Sequence, residues 1–186
     1  MSISEKNLEL YLKALSDELV KNNLFAEILL FGGGALVAFY CSRDMTHDLD
    51  IKILDNTQES LLLSCAAVVA EKFNLESDWI NTEADKCGYV TQEIVADSGL
   101  WLKYPALHVL RPSTKALLAM KINAARIHPS VFDIDDAAHL LSELKIDSVQ
   151  DAIAVWKDYY PNAPFSEVTF REKNMFLNQA LYLKRK

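Results

Sequence analysis

The sequence predicts an α+β fold: a small mixed β-sheet flanked by helices in an α/β-type core, then a C-terminal helical region. Three observations predict it. Short apolar or alternating runs of strand length, "AEILLF" and "HDLDIKIL", lie between segments of helical period in the first half. Their order is strand, helix, strand, helix. After Pro112 the period becomes helical almost without a break. The boundaries that follow are a core over residues 1–111 and a helical region packed against it over 112–186.

Taken in order, residues 5–22 carry Leu8, Tyr11, Leu12, Leu15 and Leu19 on one helical stripe, with Ser4 placed to cap it. "AEILLF" (26–31) is bounded and fully apolar apart from Glu27, the pattern of a buried strand. "GALVAFYC" after it suits a helix. "HDLDIKIL" (47–54) alternates and reads as a strand. Asn56–Thr57 supplies a turn and cap, and residues 58–73 a helix. Farther on, "GYVTQEIVA" (88–96) and "ALHVLR" (106–111) read as strands, joined by the turn-rich link "DSGLWLKYP". The second half yields a helix from Ser113, a second begun by Asp133 after Pro129, a third from Ser148 stopped by Pro161, and a fourth over 169–186. No internal repeat or low-complexity segment is present.

Composition sets outer limits. The chain has 186 residues, 51% hydrophobic and 24% charged, which suits a globular domain. No apolar run is long enough for a membrane span, and the polar start "MSISEKNLEL" is unlike a secretory signal. Three widely spaced cysteines, Cys41, Cys65 and Cys87, fit reduced thiols and a cytoplasmic setting better than a disulfide frame or zinc site. A net charge of −7 argues against a broad DNA-binding surface, because such surfaces neutralise many phosphates.

One stretch carries chemistry. The chain has five glycines and places three together, Gly32, Gly33 and Gly34, at the end of the first predicted strand. A glycine turn from strand to helix lets backbone N–H groups approach phosphate oxygens, and a helix N-terminus favours anions. One helix later come Asp48 and Asp50. Two residues apart on a strand, their carboxylates leave the same face, while Leu49 and Ile51 point into a core. Two carboxylates so close repel unless a cation lies between them, and carboxylate oxygens suit Mg²⁺, or Mn²⁺, bound together with phosphate. The spacing is neither a Walker loop nor a dinucleotide-binding loop.

Glycine turn, helix, then "DLDI" resembles the polymerase-β-like nucleotidyltransferase superfamily. The fuller string "GGGALVAFYCSRDMTHDLDI" is similar to its bacterial branch of toxin-like members, found in toxin–antitoxin and abortive-infection systems. Gly32, Gly33, Ala35, Leu36, Arg43, Thr46, Asp48 and Asp50 match, "SDWIN" (77–81) is similar to a further element, and "LRPSTKALLAMKINAAR" with "DIDDAAHLL" resembles the next segment. The likeness covers about residues 28–144. It implies that Asp48 and Asp50 bind the catalytic metal, that Gly32, Gly33 and Gly34 cradle a nucleoside triphosphate, and that Arg43 or Thr46 orients the loop. It further implies that Lys121 approaches the phosphates, with Asp136 in support. A third carboxylate, which active members carry on a later strand, falls on Glu93, with Asp97 next. The implied activity is transfer of an NMP to a hydroxyl on RNA or protein, as a toxin held by an antitoxin protein. The alternative is a catalytically inactive module on the same fold that binds nucleotide or a partner.

Other residues read as structural. His47 faces away from the aspartates; His108, His128 and His139 lack a supporting motif, and Asp133 reads as a helix cap. Trp79, Trp101 and Trp156 are expected in the core or at an interface.

Overall fold

The computed structural model describes residues 2–40, 44–125, 129–164 and 166–185. Among them are five strands in one mixed sheet and nine helices. In chain order these are α1 (Glu5–Lys21), β1 (Ala26–Phe31), α2 (Gly32–Tyr40), β2 (Leu49–Ile53), α3 (Glu59–Phe73), β3 (Ile80–Asn81) and α4 (Glu83–Lys86). Then follow α5 (Gln92–Ala96), β4 (Ser98–Lys103), β5 (Leu107–Pro112), α6 (Thr114–Asn123), α7 (Val131–Glu143), α8 (Val149–Tyr159) and α9 (Glu167–Lys184). The α+β class holds. The chain forms two compact units: residues 1–88 with 98–111, and residues 89–97 with 112–186.

The first unit holds the sheet, in the order β3-β2-β1-β5-β4. β1 pairs antiparallel with β2, Leu30 opposite Ile51 and Phe31 opposite Asp50, and parallel with β5, Ile28 opposite Val109. This register puts Ile28, Leu30, Leu49, Ile51, Leu107 and Val109 on one face, and all are fully buried. The apolar stripe of α1 packs against α3, where Tyr11 meets Phe73 at 5.1 Å and Trp79 at 6.1 Å between ring centres. Trp79 is fully buried, and its indole N–H donates to the Ala66 carbonyl at 2.9 Å.

The second unit is helical. Ser113, Ser130, Ser148 and Ser166 each accept a backbone N–H three residues on, capping α6, α7, α8 and α9. The third helix thus begins as read, whereas α7 starts two residues before Asp133 and its cap is Ser130. Asp133 is instead a first-turn acid. Trp156, Tyr159 and Tyr160 are buried, so the aromatic run near Pro161 is core.

Two expectations fail. "GYVTQEIVA" is not a strand: its buried residues, Val90 and Ile94, are four apart, one helical turn, and Thr91 accepts the Ile94 N–H to start α5. "DSGLWLKYP" is not a mere link. Residues Ser98–Lys103 are β4, and Tyr104 N–H closes onto the Leu107 carbonyl at 2.9 Å to form a hairpin with β5. The glycine that suggested a turn, Gly99, sits in the exposed edge strand.

Candidate functional site

At the C-terminal end of β1 the chain must leave the sheet and enter α2 at once. Gly32 makes that turn with φ +63°, a left-handed conformation that other residues adopt at a cost. A Cβ built on Gly32 would lie 2.5 Å from an Asp50 carboxylate oxygen. The glycine turn and the second acid of the pair are therefore in direct contact, across the Phe31–Asp50 rung of the β1–β2 ladder. Gly34 serves a different need: a Cβ there would strike the Leu49 side chain at 2.6 Å and Leu30 at 3.1 Å, so its absence lets α2 lie close on the strands. Gly33 is half-buried at the start of the same helix.

Asp48 directly precedes β2, and both it and Asp50 are half-buried while Leu49 between them is fully buried, as the alternation requires. The side-chain amide of Asn81 donates to Asp48 at 3.1 Å, and its carbonyl oxygen accepts the Glu83 N–H at 3.2 Å. Asn81 is paired with Asp50 in the β2–β3 register, so it faces the same way as both acids. The loop is fixed from the other side by Thr46. This buried residue exchanges two 2.8 Å backbone hydrogen bonds with Ile3, and its hydroxyl donates to the Asp48 carbonyl at 3.1 Å. Beside the pair, Lys52 binds both carboxylate oxygens of Asp85 at 2.8 and 3.0 Å, which ties α4 to β2.

Gly32, Gly33, Gly34, Thr46, Asp48 and Asp50 thus stand together in the first unit. The sequence assigns Asn81 no role beyond its place in "SDWIN", because its position beside the two aspartates is set by the β2–β3 pairing of a two-residue strand. Arg43, Cys41 and His128 lie outside the described residues. His108 lies 3.5 Å from Glu27 and edge-on to Phe25 at 4.9 Å, a local surface arrangement.

The remaining candidates belong to the second unit. Glu93, expected on a later strand, is an exposed residue in the first turn of α5. Asp97 ends α5 and accepts hydrogen bonds from the Ser113 and Tyr159 hydroxyls. The Ser113 bond and then the Tyr159 bond hold its carboxyl below the usual carboxylate range. Tyr159 is pushed up to about 12, by burial first and then by that bond to Asp97. Lys121 is not open to solvent: its ammonium binds Asp133 at 2.9 Å and the fully buried Asp136 at 2.8 Å, joining α6 to α7. The half of the prediction that made Asp133 only a cap is corrected by this ion pair.

Hard oxygen donors from two carboxylates on one strand face fit Mg²⁺ as a partial shell, the rest to come from water and phosphate. Among the described residues no group of three or more His, Cys, Asp or Glu side chains is arranged to hold a metal, so the pair has no third ligand of these types there. Nor is any described helix long and apolar enough to cross a membrane. No family model matches this chain, and no curated protein and no solved structure matches it either.

Proposed function

We propose that the first unit binds a nucleoside triphosphate and transfers its NMP to a hydroxyl of an acceptor, RNA or protein, in the manner of a nucleotidyltransferase. The observation that carries this reading is the contact of Gly32 with the Asp50 carboxylate, with Asp48 held beside it by Asn81. A phosphate-cradling turn and a metal-binding acid pair are useful to each other only when they adjoin, because the phosphates carry the charge the metal neutralises. Bound Mg²⁺ would supply that neutralisation and polarise the phosphate under attack. Asp48 and Asp50 would hold it, backbone N–H groups from Gly32 to Gly34 would meet the phosphate oxygens, and Thr46 would keep the loop in place through the Asp48 carbonyl. The acceptor hydroxyl gives up its proton to solvent, its oxygen forms a bond to the α-phosphorus, the bond from that phosphorus to the bridging oxygen breaks, and pyrophosphate leaves. A toxin role with an antitoxin partner belongs to the same reading and rests on the resemblance.

The test is labelling of cellular RNA and protein with each α-labelled NTP in Mg²⁺. The wild-type chain should transfer label, and the double variant Asp48→Ala, Asp50→Ala should lose it while keeping its circular dichroism. Labelling that survives in the double variant sinks the proposal, and release of phosphate rather than pyrophosphate would point to hydrolysis.

One observation favours a second reading, a module that binds nucleotide without turning it over. Glu93 stands on a helix of the second unit and not on a strand, and the acid pair has no third described carboxylate. Nucleotide binding that needs Asp48 and Asp50, with no labelling under any NTP, is its outcome.

A further inference from the structure

The three tryptophans of the chain divide by their indole N–H groups. Trp79 and Trp156 are buried and donate to the Ala66 carbonyl and the Asn123 side chain, at 2.9 and 3.2 Å. Trp101 is half-exposed on the edge strand β4, and its indole makes no hydrogen bond to the described residues. Its ring meets Phe39 of α2 edge-on, 4.6 Å between centres at 90°. The Arg111 guanidinium of β5 lies over the same Phe39 ring, 5.4 Å from its centre. Arg111 is exposed and has neither an ion pair nor a hydrogen bond among the described residues.

The strand alternation extends this cluster. Gly99, Trp101 and Lys103 share one face of β4. Gly99 and Lys103 are exposed, a Cβ at Gly99 would meet nothing within 4 Å, and Lys103 too has no acid partner among the described residues. Leu110 is opposite Leu29, so Arg111 stands level with Leu30, one residue short of the end of β1 where the Gly32 turn begins. An aromatic ring thus stands between two cations with no acid partner among the described residues: Arg111 at the sheet end that carries the glycine turn, and Lys103 at the hairpin end of β4.

We infer that Phe39, Trp101, Arg111 and Lys103 form a stacking platform for single-stranded nucleic acid. A base lies against Trp101, which every base can do through its π-face, while Arg111 and Lys103 meet the flanking phosphates. That two cations stay unpaired beside half-exposed aromatics, in a chain of net charge −7, argues for a polyanion and against an acidic or apolar protein partner. The small number of cations distinguishes this from a broad electrostatic surface. That the strand is the acceptor of the transfer rests on the nucleotidyltransferase reading; the binding itself does not.

The experiment titrates the full chain against labelled single-stranded oligoribonucleotides and oligodeoxyribonucleotides, following anisotropy and tryptophan emission. Binding should quench tryptophan emission. Trp101→Ala and Arg111→Gln should each raise Kd about tenfold or more, and Trp101→Phe should keep most of the affinity. With two phosphates neutralised, affinity should fall roughly 25-fold for a tenfold rise in salt. Tighter binding of the ribose oligonucleotide supports an RNA acceptor, and equal binding of both supports stacking as its basis. The double variant Asp48→Ala, Asp50→Ala should bind as wild type does, so failed labelling with intact binding indicts the transfer reading alone. No binding by wild type, unchanged Kd in both Arg111→Gln and a folded Trp101 variant, or equal affinity for duplex overturns the platform. Capture of a protein strand on β4 with no oligonucleotide binding overturns it as well.

Discussion

Gly32 has no room for a side chain, and the obstacle is the Asp50 carboxylate itself. Gly32→Ala therefore combines a left-handed backbone, costing roughly 1 kcal/mol or more, with displacement of a proposed metal ligand. We expect a lower melting temperature and loss of NTP-dependent labelling, whereas a variant with wild-type labelling would separate the turn from the site. Asn81→Ala should act more gently. It leaves the Asp48 carboxylate without its amide donor, and removing such a partner commonly reduces metal affinity or activity about 10- to 100-fold. Mg²⁺ titration of labelling, with melting unchanged, is the measurement. These two residues show what a sequence can disclose: the glycine run and the acid pair were visible as a pattern, but their contact was not. Asn81 escaped assignment because its significance is a matter of strand register, and the two-residue β3 has too few residues to show a period.

At the scale of elements, the second unit is fastened by charged and polar ties between helices. Lys121 bridges Asp133 and the fully buried Asp136, so Lys121→Met removes a cation from beside a carboxylate held in the interior. A destabilisation of about 3 kcal/mol is expected in urea unfolding, with Asp136→Asn less severe than Lys121→Met. Lys173 is 3% exposed on α9; its ammonium donates to the Ile122 carbonyl at 3.0 Å at the end of α6 and lies over the Trp156 ring. Burial pushes its pKa down. The Asp97 tie gives a pH dependence whose sign follows from its lowered pKa. Its contribution is present above the ordinary carboxyl pKa of about 4 and is lost as pH falls through the lower folded value. Tyr159, raised to about 12, contributes fully below pH 10 and loses that contribution as pH climbs toward about 12. Tyr159→Phe should accordingly flatten the stability profile at both ends, as melting temperatures across pH would record. Helix α5 explains why the sequence misled here. Five residues with scattered Val and Ile satisfy a strand pattern as well as a helix, and only the Thr91 cap and the burial of Val90 with Ile94 decide between them.

For the whole molecule, the second unit draws residues 89–97 from the midst of the first. Thr91 donates to the Tyr159 carbonyl at 2.9 Å, the Tyr160 hydroxyl to the Tyr89 carbonyl at 2.6 Å, and Asp97 holds Ser113 and Tyr159. A fragment of residues 112–186 lacks all of these partners. It should melt below the second unit of the intact chain, and a fragment melting at the same temperature would show that α5 is dispensable. The sequence by itself determined the α+β class, the capped helices after Pro112, the buried strand β1 and the adjoining positions of Asp48 and Asp50, since each follows from local period, capping or alternation. Tertiary structure alone decided that the Gly32 turn touches Asp50, that Glu93 and Lys121 belong to the second unit and the acid pair to the first, and that Trp101, unlike Trp79 and Trp156, stays at the surface. Those outcomes depend on strand register and on which distant segments pack together, and neither leaves a mark in the spacing of neighbouring residues.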